Sequence, residues 1–218
     1  MQSYVDKTDD YFANARKEIE PLIPPQCGRV LEIGCGSGAT LGWLLQNKRA
    51  SYTVGVEIFE TAANSARAHA DEVNCLDFEK QDLPQGHGLF DLVLCLDVLE
   101  HMVNPWAVVD RLVTNYLAPG GTLVVSLPNV RHYSVTLPLL LQGRWEYADT
   151  GLLDRTHLRF FTRDTAVRLV SHKGLESVQC VGAGFERGTR KSLVNVLTAG
   201  LFKDILTYQY LLCARKRV

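Results

Sequence analysis

The 218-residue chain is long enough to bury a large core, and 46% hydrophobic with 22% charged residues is ordinary globular composition. A formal net charge of −1 offers no long-range attraction to nucleic acid or to an anionic membrane. The longest apolar run, LFDLVLCLDVL, is too short to span a bilayer and contains Asp91 and Asp97. We therefore expect a soluble, cytoplasmic protein with a small-molecule substrate and no nucleic-acid or membrane partner. The sequence is compatible with a homodimer.

The six cysteines are scattered and form no CxxC pair. This distribution favours reduced thiols over a disulfide framework or a zinc site. Because no group of residues has the sequence spacing of metal ligands, we predict that the chain holds no metal.

Strands and helices alternate along most of the chain. Residues 8–23 have apolar side chains at helical spacing, and Pro24 and Pro25 stop this pattern. Seven strand-like segments follow, which are RVLEIG, YTVGVEI, VNCLDF, LFDLVLCLDVL, TLVVSLP, LESVQCVGAG and QYLLCARKR. The helical segments between them are residues 40–46, FETAANSARAHA, NPWAVVDRLVTNYL and RDTAVRLVSHKG. This order predicts one α/β domain over residues 1–218, with a Rossmann-like, doubly wound, seven-stranded, mostly parallel sheet in three αβα layers.

Two segments fall outside this alternation. Residues 1–25 are predicted to form an N-terminal lid helix in which Tyr11 and Arg16 could cover a ligand, although a packed amphipathic helix explains both residues nearly as well. Residues 128–163 are not plainly helix or strand, and we interpret them as an insertion on the substrate side.

A glycine-rich turn follows the first strand in VLEIGCGSGAT. Gly34, Gly36 and Gly38 would let the backbone approach a ligand closely, and Gly34-x-Gly36-x-x-Ala39 also fits the dinucleotide-binding pattern. Taken alone, the turn is explained as well by a tight connection between a strand and a helix.

Acidic residues at three successive strand ends narrow the choice of ligand. Glu57 ends the second strand, where a carboxylate can accept hydrogen bonds from both ribose hydroxyls, and Asp77 follows the third strand, where it can accept from an adenine amino group. Glu32 lies just before the glycines, where it would repel a pyrophosphate but could orient the ammonium of a methionine moiety. Together the three acids favour a cationic adenosyl ligand over NAD.

At this point the sequence resembles the class I S-adenosylmethionine-dependent methyltransferases, in their bacterial small-molecule subgroup. The resemblance rests on VLEIGCGSG, VGVEIF, NCLDF, FDLVLCLDVLEHMVNPW and LAPGGTLVVSLPN, which follow the family's order and spacing over residues 30–129. GLLDRTHLRFFT and QYLLCARK extend it over nearly the whole chain. The resemblance implies S-adenosyl-L-methionine as the cofactor, methyl transfer as the reaction, and an antiparallel final strand.

The resemblance also implies roles for individual residues. The glycine turn would pass under the methionine part of the cofactor, Leu96 would offer its backbone carbonyl to the ligand amine, and Glu57 would bind the ribose. Ile58 would pack on the adenine. The residues predicted to bind the cofactor are Glu32, Gly34, Cys35, Gly36, Gly38, Glu57, Ile58, Asp77, Phe78 and Leu96.

Two acidic residues are candidates for the position beside the adenine edge. Asp77 and Phe78 would meet this edge, but Asp82 in KQDLP lies close enough in the sequence to occupy the same position.

A hydroxyl acceptor would benefit from a general base, and three histidines lie near the carboxyl edge of the predicted sheet. His101 follows the fourth strand, His132 follows the fifth, and His157 lies three residues after Asp154, a spacing that permits Asp–His pairing. We rank His132 and His157 above His101, which could instead anchor the start of the next helix. A histidine hydrogen-bonded within a loop is the alternative interpretation of each.

Residues 128–163 contain five arginines and three acids, interleaved with aromatic residues. A basic, aromatic cover would suit a phosphate or carboxylate, which points to a hydroxyl of a sugar-like or acidic metabolite as the acceptor. Alternatively, the arginines pair with the acids and the aromatic residues are core. A non-catalytic S-adenosylmethionine-binding module and an NAD-dependent oxidoreductase are the alternative functions.

Overall fold

The computed structural model describes residues 14–183, 200 and 202–218, and within them seven strands form one sheet. The strands are β1 (Gly28–Ile33), β2 (Ala50–Glu57), β3 (Glu72–Cys75), β4 (Phe90–Leu96), β5 (Leu117–Pro128), β6 (Leu175–Ala183) and β7 (Gln209–Lys216). Their order across the sheet is β3-β2-β1-β4-β5-β7-β6. Strands β1 to β5 pair in parallel, whereas β7 runs antiparallel to both β5 and β6. The predicted doubly wound sheet with an antiparallel final strand is confirmed.

Helical segments connect the strands. The α-helices are α1 (Ala39–Gln46), α2 (Glu60–Ala66), α3 (Pro105–Arg111), α4 (Tyr133–Gln142), α5 (Arg163–Val170) and α6 (Lys203–Leu206). A π-helical turn, Leu112–Tyr116, continues α3, and 3-10 helices form at Lys17–Leu22 and Leu99–His101. Among the helices of the described ranges, none is long and apolar enough to cross a membrane.

The sheet is covered on both faces because its central strands are apolar on both faces. In β1, Leu31 and Ile33 belong to a buried cluster that also contains side chains of α3 and α5. Val30 points the other way, into a second buried cluster with Leu41 of α1. Successive side chains of a strand point to opposite faces, so a strand buried on both faces has a continuous apolar sequence. The three αβα layers follow from this pattern.

Two segments differ from the sequence prediction. The described part of the N-terminal segment forms a 3-10 helix over Lys17–Leu22 rather than an α-helix, and Pro21 within it has no backbone N–H to donate. Tyr11 lies outside the described residues. The stretch 128–163 contains α4, which the sequence did not reveal because Pro138 interrupts a run of leucines that lacks a polar face.

The buried side chain of Asn129 joins the end of β5 to the chain before β7. Its amide nitrogen donates to the carbonyl oxygens of Asp204 and Thr207, both at 2.7 Å, and its amide oxygen accepts from the Arg131 N–H at 3.0 Å. The carboxyl edge of the sheet is thereby fixed beside α6.

We predict that Asn129→Ala lowers the free energy of unfolding by about 3 kcal/mol, because it leaves buried carbonyl and N–H groups without partners. Urea denaturation measures this change. Asn47→Ala is the matched control, since Asn47 makes an amide–carbonyl hydrogen bond of 2.8 Å to Trp43 at an exposed position and should cost less than about 1 kcal/mol. Equal losses in the two variants would contradict the assignment.

Candidate functional site

The glycine-rich turn and two of the acids meet at the carboxyl edge of the sheet. Gly34, Gly36 and Gly38 all have positive φ angles, of 71°, 54° and 79°. The N–H groups of Gly34 and Cys35 donate to the Val56 carbonyl at 2.8 and 3.0 Å, so the turn is tied to the end of β2. A Cβ on Gly34 would lie 2.7 Å from a methyl carbon of Val98, which explains why this position needs glycine.

The Glu57 carboxylate organises the turn. One oxygen accepts from the Gly36 N–H at 2.9 Å, and the other accepts from the N–H groups of Ile58 and Phe59 at 2.9 and 3.0 Å. Burial raises the pKa of Glu57, and the three N–H donors act against this increase. This carboxylate therefore supports the loop that would carry a ligand.

Glu32 is buried on the face of β1 opposite Leu31 and Ile33, and only 3% of it is exposed. One of its carboxyl oxygens has no hydrogen-bond partner in the part of the chain that the structure describes. Burial raises the pKa of Glu32 to about 8, although the Arg16 charge and a hydrogen bond from Thr40 lower it. The carboxyl is consequently protonated at neutral pH, and a cation beside it would favour release of the proton.

The other predicted cofactor-binding residues lie around this edge in different environments. Ile58 is 47% exposed beside Glu57, whereas Leu96 is buried at the end of β4. Cys35 is also buried within the turn, and burial raises the pKa of its thiol well above the usual value.

Asp77 and Phe78, which follow β3, differ in the direction of their side chains. Asp77 accepts from the Glu79 N–H at 3.0 Å and pairs with Lys80 at 2.6 Å, in the turn that begins where Leu76 bonds back to Glu57. Phe78 points inward, where the ring of Tyr116 lies 5.6 Å from its own, and it is 3% exposed. The Phe78 ring is therefore core and is not presented at the edge.

The rival acid, Asp82, is paired with other residues. It accepts from the Tyr116 hydroxyl at 3.1 Å and lies 3.5 Å from the Arg111 guanidinium. In the sequence, Asp77 is nearer than Asp82 to the end of β3.

An unpredicted residue, Asp97, joins the N-terminal segment to the site. It follows β4 with a φ of 53°, and its carboxylate accepts from the Ser126 hydroxyl at 2.8 Å. Arg16 donates to Asp97 and, at 3.2 Å, to Gln209 at the start of β7. An acid directly after a buried strand was the signal in the sequence that could have revealed Asp97.

The three candidate histidines divide into a pair and a single residue. The rings of His101 and His157 lie 4.7 Å apart in an edge-to-face arrangement. The Nδ1 atom of His101 lies 3.1 Å from the Thr156 carbonyl oxygen, and that of His157 lies 3.2 Å from the Leu152 carbonyl oxygen. Each Nδ1 therefore carries the proton of a neutral ring, and each Nε2 has the lone pair.

His132 has the opposite arrangement. It is the N-cap of α4, and its Nδ1 accepts from the Ser134 N–H at 3.3 Å. Because Nδ1 accepts, the proton of a neutral ring is on Nε2. The Nδ1 atom of this histidine therefore serves as the cap of α4.

Three of the five arginines in residues 128–163 are paired with acids. Their ion pairs are Arg131–Asp204 at 3.8 Å, Arg144–Glu146 at 4.0 Å and Arg155–Asp149 at 2.9 Å. Arg159 donates to the Val103 carbonyl and lies over the ring of Trp106. Glu146 and Asp149 belong to the same stretch, so only the pair of Arg131 with Asp204 lowers its local basic excess.

Comparison with known proteins gives a family. A family model described as a methyltransferase domain matches residues 5–180. Two similar curated proteins are named "Ubiquinone biosynthesis O-methyltransferase". The protein from Neisseria meningitidis serogroup C (strain 053442) is 33% identical over 107 residues, which are 46% of this chain and 44% of that protein. The protein from Colwellia psychrerythraea (strain 34H / ATCC BAA-681) is 25% identical over 86% of this chain and 74% of that protein.

Solved structures share the fold. An S-adenosylmethionine-dependent methyltransferase from Archaeoglobus fulgidus has a TM-score of 0.67 at 16% identity, over 99% of this chain and 97% of that one. The N-methyltransferase NodS from Bradyrhizobium japonicum WM9, in complex with S-adenosyl-L-homocysteine, has a TM-score of 0.57 at 17% identity, over 88% of this chain and 79% of that one.

The raised pKa of Glu32 predicts a pH-dependent contribution to stability. The folded protein holds a proton on this carboxyl up to about pH 8, while the unfolded chain releases it near pH 4.5. Stability from this group therefore falls as pH rises between these values, by at most about 1.4 kcal/mol per pH unit. Glu32→Gln keeps the neutral shape, so its free energy of unfolding relative to the wild type should rise between pH 6 and pH 8. Urea denaturation of both proteins tests this, and parallel pH profiles would contradict it.

Proposed function

We propose that this chain, which belongs to the methyltransferase-domain family and is an S-adenosylmethionine-dependent methyltransferase, methylates a hydroxyl oxygen of a small molecule. The arrangement of Glu32 and Glu57 around the glycine turn supports the cofactor, and the names of the curated relatives support oxygen as the acceptor atom. Because the chain belongs to this family, we no longer favour the alternative functions, which were an NAD-dependent oxidoreductase and a non-catalytic S-adenosylmethionine-binding module.

The residues at the carboxyl edge fit an adenosyl cofactor. Glu32 has a buried carboxyl oxygen with no hydrogen-bond partner among the described residues, which supports a role in orienting the cofactor's ammonium. Glu57, at the end of β2, is the acceptor for ribose hydroxyls, and the exposed side chain of Ile58 provides an apolar surface for the adenine. Asp77 remains our candidate for the adenine amino group, whereas Phe78 would contribute only through its backbone.

The chemistry requires proton removal as well as positioning. When bound, S-adenosylmethionine supplies an electrophilic methyl group on a sulfonium sulfur. A hydroxyl acceptor forms a C–O bond as the S–C bond breaks, and its proton must leave. His101, which follows β4, and His157, which lies in the loop between α4 and α5, are the candidate acceptors of that proton through their Nε2 atoms. This pair ranks above His132, because the Nδ1 atom of His132 caps α4.

Fewer observations bear on the acceptor than on the cofactor. The two curated relatives are named as O-methyltransferases, which supports oxygen as the acceptor atom. A sugar-like or acidic metabolite was suggested by the arginines of residues 128–163, and the ion pairs of Arg131, Arg144 and Arg155 reduce that support. We therefore propose a hydroxyl group as the acceptor. The experiment below distinguishes neutral, acidic and phenolic molecules that contain one.

We predict that the protein forms methyl ethers from a hydroxyl acceptor and S-adenosylmethionine, with one S-adenosylhomocysteine released per ether. A panel containing a phenol, a hexose and a hexuronic acid, each beside its amine counterpart, tests this by mass spectrometry of the products. Methylation confined to nitrogen, or no methylated product from any member, would contradict the proposal.

We predict that Arg16→Ala weakens S-adenosylhomocysteine binding about 10-fold. The substitution removes the ion pair between Arg16 and Asp97 at the carboxyl edge of the sheet, and a 10-fold change corresponds to about 1.4 kcal/mol of binding free energy. Arg49→Ala is the control, since Arg49 holds the same N-terminal segment through Glu20 at 2.9 Å without contacting the site. Calorimetric titration of both variants should show a change only in Arg16→Ala. Equal weakening would mean that Arg16 merely anchors the segment.

A further inference from the structure

Two adjacent side chains and a third that is distant in the sequence meet beyond the end of β4. Glu100 and His101 end the 3-10 helix after β4, and His157 comes from the loop between α4 and α5. Each residue offers one ligand atom, and these three atoms lie within 4.8 Å of one another. Two imidazoles and a carboxylate are a donor set that suits divalent transition metals.

The carboxyl of Glu100 is the first indication that this cluster binds something. The residue is 1% exposed, and its Oε2 atom has no hydrogen-bond partner among residues 14–183, 200 and 202–218. A buried carboxyl oxygen without a partner costs free energy unless a ligand satisfies it.

The orientation of the two imidazoles is the second indication. Backbone carbonyls of Thr156 and Leu152 lie 3.1 and 3.2 Å from the Nδ1 atoms of His101 and His157, so Nε2 is the ring atom of each that would ligate a metal. Metal-binding histidines commonly donate their other ring N–H to a carbonyl or carboxylate in this way. The Thr156 hydroxyl, 3.1 Å from the same Nδ1 of His101, adds to this outer shell.

The loop that carries His157 is attached to Glu100 by its backbone. The Glu100 carbonyl accepts from the N–H groups of Leu158 and Arg159 at 2.8 and 2.9 Å. These backbone hydrogen bonds hold the third ligand beside the first two.

We propose that Glu100, His101 and His157 bind one divalent transition-metal ion, such as Zn²⁺ or Mn²⁺, at the acceptor edge of the sheet. Ligand atoms about 2.0–2.2 Å from a tetrahedral zinc ion are roughly 3.4 Å apart, so binding draws the His157 loop closer to Glu100. The proposal departs from the prediction, made from sequence spacing, that the chain holds no metal, because His157 is too far from Glu100 in the sequence for spacing to reveal the group.

The role of the ion rests on the proposed function. Three protein ligands leave a coordination position for the hydroxyl oxygen of an acceptor, as in catalytic zinc sites. The ion favours the ionised hydroxyl, and the proton passes to solvent water. The histidines then act as ligands and not as bases.

Metal binding is tested on the full chain after treatment with a chelator. Titration with Co²⁺, followed by visible absorbance, should give one ion per chain that Zn²⁺ displaces. His157→Ala and Glu100→Gln should each weaken binding more than about 10-fold, since even outer-shell partners of metal ligands contribute roughly 10–100-fold. His172→Ala is the matched control, because His172 also pairs with a carboxylate, Asp110 at 2.8 Å, but on another surface.

The outcomes separate this inference from the proposed function. S-Adenosylhomocysteine binding by each variant shows that it is folded. Stoichiometric Co²⁺ binding that is lost in His157→Ala and retained in His172→Ala supports the site, whether or not a hydroxyl is methylated. Absence of stoichiometric binding, or binding that survives both ligand substitutions, overturns the site even if methyl ethers form.

Discussion

The carboxylate of Glu57 is the constraint on which the site depends. It ends β2 and accepts three backbone N–H groups, one from the glycine turn after β1 and two from its own strand end. The turn has positive φ angles at three glycines and gains its fixed shape partly from this acceptor. A residue that would contact a ligand thus also shapes the backbone beneath it.

The carboxyl edge of the sheet also contains two buried acidic residues. Burial raises the pKa values of both Glu32 and Glu100. Each has a carboxyl oxygen without a hydrogen-bond partner in the described ranges. Such groups destabilise the fold and are retained where a ligand can satisfy them. In our proposals they belong to two regions of this edge, with the cofactor beside β1 and the acceptor beyond the end of β4.

The sequence was most informative where one local pattern determines one structure. Continuous apolar runs predicted the buried parallel strands, and acids near the ends of the first three strands predicted where polar groups would collect. Helix α4 was missed because Pro138 and a run of leucines give neither a helical nor a strand-like periodicity. The inward direction of the Phe78 ring depends on packing against Tyr116, which no local pattern encodes.

Contacts between distant segments explain the remaining differences. Glu100 and His157 are separated by 57 positions, so ligand spacing could not reveal their cluster. The partner of Arg131 is Asp204, outside the stretch whose charges were counted. The roles of the histidines depended on which ring nitrogen meets a carbonyl or an N–H, which is a property of the folded loops.

The measurement that tests the account most directly is proton release when S-adenosylhomocysteine binds. Calorimetry at pH 7 in two buffers of different ionisation enthalpy gives the number of protons exchanged. If the ligand ammonium meets a Glu32 carboxyl whose pKa is about 8, the wild type should release nearly one proton more than Glu32→Gln. Identical proton counts in the two proteins would show that Glu32 does not face the cofactor's charge, and would contradict the site described here.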